Sequence, residues 1–243
     1  ATMLDIRDLT VEIEGKPVVQ DVNLRVRTGE LHVLMGPNGS GKSSLLAAIM
    51  GLSPYEVTQG SIHFADQPID TLAPLERARL GIGMAFQRPP SLDGVTIKRL
   101  AEALGAENAL ATAAEALDMT ALVDRDMNSG FSGGEIKRAE VLKLMLQNPR
   151  LMLFDEPESG VDLEHVRVIG EAIRTLMSKQ SADAPTRCGL VITHTGFVLN
   201  HVLADQGHIM RSGRLIASGD ALRLFSHIQS HGYRAPNEET VDA

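Results

Sequence analysis

A single cysteine, Cys188, stands in 243 residues, so the chain has no internal disulfide, no CxxC pair and no cysteine-held cluster of its own. Basic residues are in the minority, 23 Lys and Arg against 31 Asp and Glu, for a net charge of -8. That balance argues against a broad phosphate-neutralising surface, so no nucleic-acid partner is expected. No window approaches the run of about 20 apolar residues that a membrane span needs, and the N-terminus lacks the regions of a signal peptide. The expectation is therefore a cytoplasmic chain with no direct membrane insertion. What is present is ample apolar material, 43% of residues, enough for a substantial core. Ala1-Thr2 ahead of Met3 is set aside from the fold reading.

Leu4 to Val26 alternates polar and apolar residues around Glu14-Gly15, the pattern of short antiparallel strands with one wet face. Leu31 to Met35 is an apolar run closed by a glycine-rich turn, and Lys42 to Met50 follows with helical spacing and Gly51 as its stop. Leu151 to Phe154 predicts a second buried strand, Leu163 to Lys179 a long amphipathic helix, and Gly189 to Thr193 a third strand. Strand and helix alternation predicts an α/β fold with a parallel sheet. Thr96 to Gln147 is rich in Ala, Leu and Glu without a strand signal and reads as a helical insertion. The tail from Tyr233 is polar and acidic and is expected to be mobile.

Gly36-Pro37-Asn38-Gly39-Ser40-Gly41-Lys42-Ser43 fits GxxxxGK[ST] between a predicted strand and a predicted helix, the context that a phosphate-binding loop requires. Glycines let backbone N–H groups turn inward around phosphate oxygens, and the helix N-terminus points its dipole at the anion. The dipole supplies about 0.3–1 kcal/mol, whereas micromolar binding needs about 8 kcal/mol, so further contacts must contribute. The pattern assigns Lys42 to the β- and γ-phosphates, the Ser43 hydroxyl to Mg²⁺ and Ser44 to the α-phosphate. ATP and Mg²⁺ are the ligands expected. Further on, an apolar strand ends in Asp155-Glu156, a costly place for charge unless a cation or a reacting water needs it. Strand alternation would aim the two carboxylates apart, Asp155 toward the Mg²⁺ shell, through water, and Glu156 toward the attacking water.

Gly130-Phe131-Ser132-Gly133-Gly134-Glu135 resembles the ABC ATPase signature LSGGQ, with two glycines opening a predicted helix from Glu135 to Gln147. The other marks of that family stand in order: Gln87 in Ala85-Phe86-Gln87, Ser159-Gly160-Val161-Asp162, and His194. The resemblance covers essentially the whole chain and implies a P-loop NTPase core with an N-terminal antiparallel β-subdomain and an inserted helical subdomain. On that reading residues 1–243 form one ABC ATPase domain, 3–94 and 148–232 its catalytic core, 95–147 the subdomain carrying the signature and 233–243 the tail. It further implies that Ser132, Gly133, Gly134 and Glu135 meet the γ-phosphate held by a second copy in a transient ATP-dependent dimer. Gln87 would sense Mg²⁺, Ser159, Gly160 and Asp162 would line the dimer interface, and His194 would contact the γ-phosphate. Lys42, Glu156 and His194 are then the expected catalytic residues.

Within that family, Gly83-Met84-Ala85-Phe86-Gln87-Arg88-Pro89, the stretch from Asn128 to Arg138, and Phe154-Asp155-Glu156-Pro157-Glu158-Ser159-Gly160-Val161-Asp162 resemble SufC-like ATPases of iron–sulfur cluster assembly. Transport subunits usually carry Gln in place of Glu135 and Ala in place of Gly160. Gly213 to Asp220 and His231-Gly232-Tyr233 continue the likeness. This implies SufB/SufD-like scaffold partners on which the cluster is built. Three departures stand out: a short insertion from Val95 to Asn128, no aromatic residue in Val11 to Lys16 to stack on adenine, and Ser44 in place of threonine. Stacking contributes about 1–3 kcal/mol in related settings, so adenine recognition is expected to be weak. Two alternatives stay open, the ATPase subunit of a membrane transporter and a non-hydrolysing nucleotide clamp. The remaining histidines, His32, His63, His165, His201, His208, His227 and His231, are read as structural or surface residues without ligand spacing.

Overall fold

Glu14 and Gly15 adopt φ of 50° and 77°, the two left-handed positions that a tight hairpin turn needs. β1 (Thr2–Ile13) and β2 (Lys16–Arg27) therefore pair antiparallel. Thr2 joins the ladder opposite Arg27, and the Thr28 N–H donates to the Ala1 carbonyl, so the two residues set aside from the fold reading belong to the sheet. The computed structural model describes residues 1–178, 182–184 and 186–236, in two compact units, 1–77 with the chain from 204 onward, and 78–203.

In the first unit β3 (Leu31–Met35) is buried throughout and leads through the glycine-rich loop into α1 (Lys42–Met50). Gly51, at φ 76°, ends α1 as expected. The buried Arg77 guanidinium donates to the Ala48 and Ile49 carbonyls at 2.7 and 3.1 Å, satisfying the last turn of that helix. Next, β4 (Glu56–Phe64) pairs antiparallel with β1 and with β5 (Gln67–Pro68), giving a four-stranded sheet in the order β2-β1-β4-β5. α2 (Pro74–Arg79) closes this part of the chain.

The second unit contains β6 (Ile82–Ala85), β7 (Leu92–Thr96), α3 (Ile97–Ala103), α4 (Glu107–Ala116), β8 (Asp126–Met127), α5 (Gly133–Gln147), β9 (Leu151–Asp155), α6 (Leu163–Met177) and β10 (Cys188–Ile192). β9 pairs in parallel with β6 and with β10. All three strands are buried at every position, the mark of parallel strands covered on both faces. α6 turns Val166, Ile169, Ile173 and Leu176 inward, the three- and four-residue spacing of an apolar stripe. Lys179, given as the end of this helix in the sequence reading, lies outside the described residues. Within the insertion, where no strand signal was read, β8 pairs with β7, which ends at the first residue of that stretch, Thr96.

The chain returns to the first unit with β11 (Gln206–Arg211), parallel to β3, then β12 (Arg214–Gly219), antiparallel to β11, and α7 (Ala221–His231). The α/β core with parallel strands, an antiparallel β-subdomain and inserted helices is thus observed, with β12 adding an antiparallel pairing. The segment from Tyr233 is tied down where it is described: Arg211 donates to the Tyr233 carbonyl at 3.1 Å and Ala235 is buried. Residues 237–243 lie outside the described residues.

His32 on β3 and His208 on β11 are both buried, with His32 Nδ1 2.9 Å from His208 Nε2 and His208 Nδ1 2.6 Å from the Ser218 hydroxyl. Burial pushes the His208 imidazole down to about 4, and its neighbour His32 adds to the shift. The unfolded chain therefore binds a proton at this position between the ordinary histidine value and about 4 while the folded chain does not. Stability is complete at neutral pH and falls as pH drops through that window, by about 3 kcal/mol for this group. Urea unfolding from pH 7 to 4 should show a loss of this size that His208→Leu lacks.

Candidate nucleotide site

The phosphate loop needs its glycines for reasons visible within the first unit. A Cβ on Gly36 would overlap the Met210 carbonyl oxygen, and one on Gly41, at φ 100°, would lie 2.5 Å from the Val18 carbonyl oxygen. Gly41 precedes α1 as its N-cap, and no side chain caps that helix, which leaves the first-turn N–H groups to an anion. Lys42 Nζ turns back on the loop, donating to the Gly36 and Pro37 carbonyls at 2.6 and 2.9 Å, with Ser40 Oγ at 3.4 Å. Pro37, Asn38, Gly39, Ser43 and Ser44 complete this segment. Its ammonium is held by neutral oxygens that an anionic phosphate can outcompete.

The acidic pair stands in the second unit. Asp155 is the last residue of β9, but Glu156 already lies beyond the strand, in the left-handed region at φ 50°. Strand alternation therefore does not set the directions of these two carboxylates, contrary to expectation: a turn does. The Glu156 N–H donates to the Ile192 carbonyl at 3.0 Å, and the Gln87 side-chain amide donates to the Glu156 carboxylate. Lys137, on α5, donates to the Gln87 and Glu156 carbonyls, both at 3.0 Å. Burial lowers its pKa, while Asp155 and Glu156 pull the other way. One turn along α5, Glu140 accepts the Phe86 N–H at 2.9 Å and pairs with Lys143 at 2.7 Å.

The signature segment forms the start of α5, two residues earlier than the helix expected from Glu135. Ser132 is its N-cap and closes a capping box with Glu135: the Ser132 N–H donates to Glu135 Oε1 at 2.9 Å and the Glu135 N–H to Ser132 Oγ at 3.2 Å. These bonds hold the Glu135 carboxyl below its usual range. Asp162 caps α6, accepting the His165 N–H at 3.0 Å, and its other oxygen is 2.7 Å from His165 Nδ1. Ser159 and Gly160 lie between that cap and the acidic pair, with Gly160 at φ 74°. His194 lies two residues beyond the end of β10, after Thr193. Its neighbour Thr193 donates to the buried Glu158, which also accepts the Val198 N–H at 2.7 Å, and burial raises the Glu158 pKa.

Among known proteins, the family model described as ABC transporter matches residues 19–159. The chain belongs to the ABC transporter ATPase family and is an ATP hydrolase. A Streptococcus pyogenes protein named a probable ABC transporter ATP-binding protein is 37% identical, over 96% of this chain and 94% of its own length. Vegetative protein 296 of Bacillus subtilis is 38% identical over 96% and 92%. A Synechocystis protein named a probable ATP-dependent transporter is 36% identical over 99% and 98%. The solved nucleotide-free ATP-binding cassette of an ABC transporter superposes with a TM-score of 0.77 at 24% identity, covering 95% of this chain and 96% of that one. A cassette in its ADP conformation gives 0.75 at 25% identity, over 95% and 96%.

In this ABC ATPase the second unit brings Gln87 and Glu156 into contact, and it adds three side chains to which the sequence reading gave no role: Lys137, Glu140 and Glu158. The available signal was a pair of opposite charges three residues apart in a helix whose neighbours Ala139, Val141 and Leu142 are apolar and buried. Glu158 ties the turn after Glu156 to the turn that carries His194. Glu158→Ala leaves the Val198 N–H and the Thr193 hydroxyl without this acceptor, at about 1–3 kcal/mol of stability. Glu158→Gln keeps an acceptor oxygen and should recover most of that loss by urea unfolding, together with the hydrolysis rate.

Proposed function

We propose that two copies of this chain bind MgATP head to tail, each phosphate loop facing the signature segment of the other copy, and that closure of the pair drives a SufB/SufD-like scaffold in iron–sulfur cluster assembly. One observation carries the two-copy site. Gly133 and Gly134 occupy the first turn of α5, where each costs the helix about 0.5–1 kcal/mol relative to alanine. Neither has a left-handed φ, and a Cβ on either would meet nothing within 4 Å. Among the described residues nothing calls for glycine there. Close approach of an anion bound elsewhere, at a helix end formed by exposed Gly133 and half-buried Gly134, is the reason that remains.

Each residue then has a task. Lys42 exchanges the Gly36 and Pro37 carbonyls for the β- and γ-phosphates, and the α1 N-terminus and Ser44 hold the remaining phosphate oxygens. Mg²⁺ suits the hydroxyl of Ser43, the amide oxygen of Gln87 and, through water, the carboxylate of Asp155, all hard oxygen donors. The ion, when bound, offsets charge on the transferring phosphoryl group. Glu156 accepts from the attacking water and orients it in line, and His194 donates to the γ-phosphate. Ser132 and Glu135 keep the α5 N-terminus formed, and Ser159, Gly160 and Asp162 face the second copy.

The scaffold reading rests on Glu135 at the end of the signature, Gly160 in the following loop and the strings from Gly83 to Pro89 and Phe154 to Asp162. A second reading, the ATPase subunit of a membrane transporter, is favoured by the names of the S. pyogenes and Synechocystis relatives. Among the described residues no helix is long and apolar enough to cross a membrane. Glu156→Gln should still bind ATP while hydrolysis falls about 10²–10⁴-fold; undiminished phosphate release would remove Glu156 from this role. Stoichiometric co-purification from native extract with a soluble β-rich scaffold supports the assembly reading, and co-purification with membrane subunits replaces it with transport.

A further inference from the structure

His227 and His231 were read from the sequence as carrying no ligand spacing. In the structure Ala221–His231 is a helix, α7, and residues four apart on a helix share a face. The rings stack with centroids 4.7 Å apart and planes 18° apart. His227 Nε2 is 2.8 Å from the Arg234 carbonyl oxygen, a contact that fixes one ring while leaving its Nδ1 toward other partners. Two imidazoles at this spacing on one helical face form a bidentate nitrogen donor set for a late first-row divalent ion. His231 stands in the last turn of α7, where the negative end of the helix dipole favours a cation.

We propose that His227 and His231 form a transition-metal site at the C-terminal end of α7, taking Cu²⁺, Ni²⁺ or Zn²⁺ through one nitrogen of each ring with water completing the coordination. It is separate from the nucleotide machinery, since neither histidine belongs to the phosphate loop or to the segments around Glu156. Bringing the two nitrogens onto one ion needs a rotation of the rings out of their stack, a side-chain movement at partly and fully exposed positions. Of the cations on α7, Arg223 lies one turn before His227 on the same face by its spacing, and its charge opposes the ion. The donor set predicts the order Cu²⁺ tightest, then Ni²⁺ and Zn²⁺, with Mg²⁺ and Ca²⁺ excluded for want of oxygen ligands.

The test titrates the untagged full chain, without nucleotide, with CuCl₂, NiCl₂ and ZnCl₂ by isothermal calorimetry at pH 7.5, beside His227→Gln, His231→Gln and the double variant. One ion per chain is expected, in the stated order. Each single substitution should weaken binding at least about tenfold, and the double variant should abolish it. The Cu²⁺ electron paramagnetic resonance spectrum should carry coupling from two nitrogens and lose it in the double variant. MgATP hydrolysis without added transition metal should be the same in all four proteins. No binding by the wild-type chain, binding that survives in the double variant, or a copper spectrum without two-nitrogen coupling overturns the proposal.

Discussion

A carboxylate has to be held just past the end of a fully buried strand, and much of the second unit is arranged around that requirement. Glu156 sits in left-handed backbone, a conformation that costs a non-glycine residue about 1–3 kcal/mol when the surroundings enforce it. The surroundings do so from three sides. The Ile192 carbonyl takes its N–H, Lys137 takes its carbonyl, and Gln87 takes its side chain. Lys137 also holds the Gln87 carbonyl, so one buried ammonium on α5 fixes both residues. The helix that opens with the signature segment is therefore the same body that holds the Gln87 and Glu156 carbonyls. A displacement at one end of α5 has a direct mechanical route to the other.

Glycines mark the two helix N-termini of the mechanism, for different physical reasons. At the phosphate loop the reason is internal: Gly36 and Gly41 lie against the Met210 and Val18 carbonyls, and Gly41 has a φ that L side chains avoid. At the start of α5 there is neither crowding nor unusual φ, and on the proposed reading the reason is the anion held by a second copy. That contrast gives the proposed head-to-tail pair a basis in this chain's own energetics. A helix that forgoes alanine twice in its first turn gives up stability that its capping box, Ser132 with Glu135, only partly restores.

The elements legible in the sequence were those whose local pattern and tertiary role coincide. Leu31 to Met35 and Leu151 to Phe154 are apolar runs because parallel strands are covered on both faces, and Lys42 to Met50 is bounded by residues that start and stop helices. β6 was not legible: Ile82 to Ala85 is four residues long with Gly83 inside, and that glycine is needed because a Cβ there would lie 2.8 Å from a Leu144 methyl. β8 is two residues long and lies in an Ala- and Leu-rich stretch, where propensity pointed to helix. α7 went unread, and with it the meaning of the His227–His231 spacing. The motif residues were found individually, but Glu156 was aimed by the wrong argument, since the strand stops one residue short of it. The buried charges Lys137, Glu140 and Glu158 could not be assigned from pattern alone, because each also binds a backbone group 19 to 54 residues away.

The central claim is that hydrolysis belongs to two chains rather than one, and subunit complementation tests it most directly. Lys42→Ala disables the phosphate loop and leaves the signature intact, while Ser132→Arg does the reverse. Each variant alone should be inactive at saturating MgATP. Mixed in equal amounts, they form pairs in which one of the two sites combines an intact loop with an intact signature, so phosphate release should return to about a quarter of the wild-type rate for random pairing. A mixture as inactive as its components, or a Ser132→Arg chain that hydrolyses ATP at the wild-type rate unaided, would contradict the account.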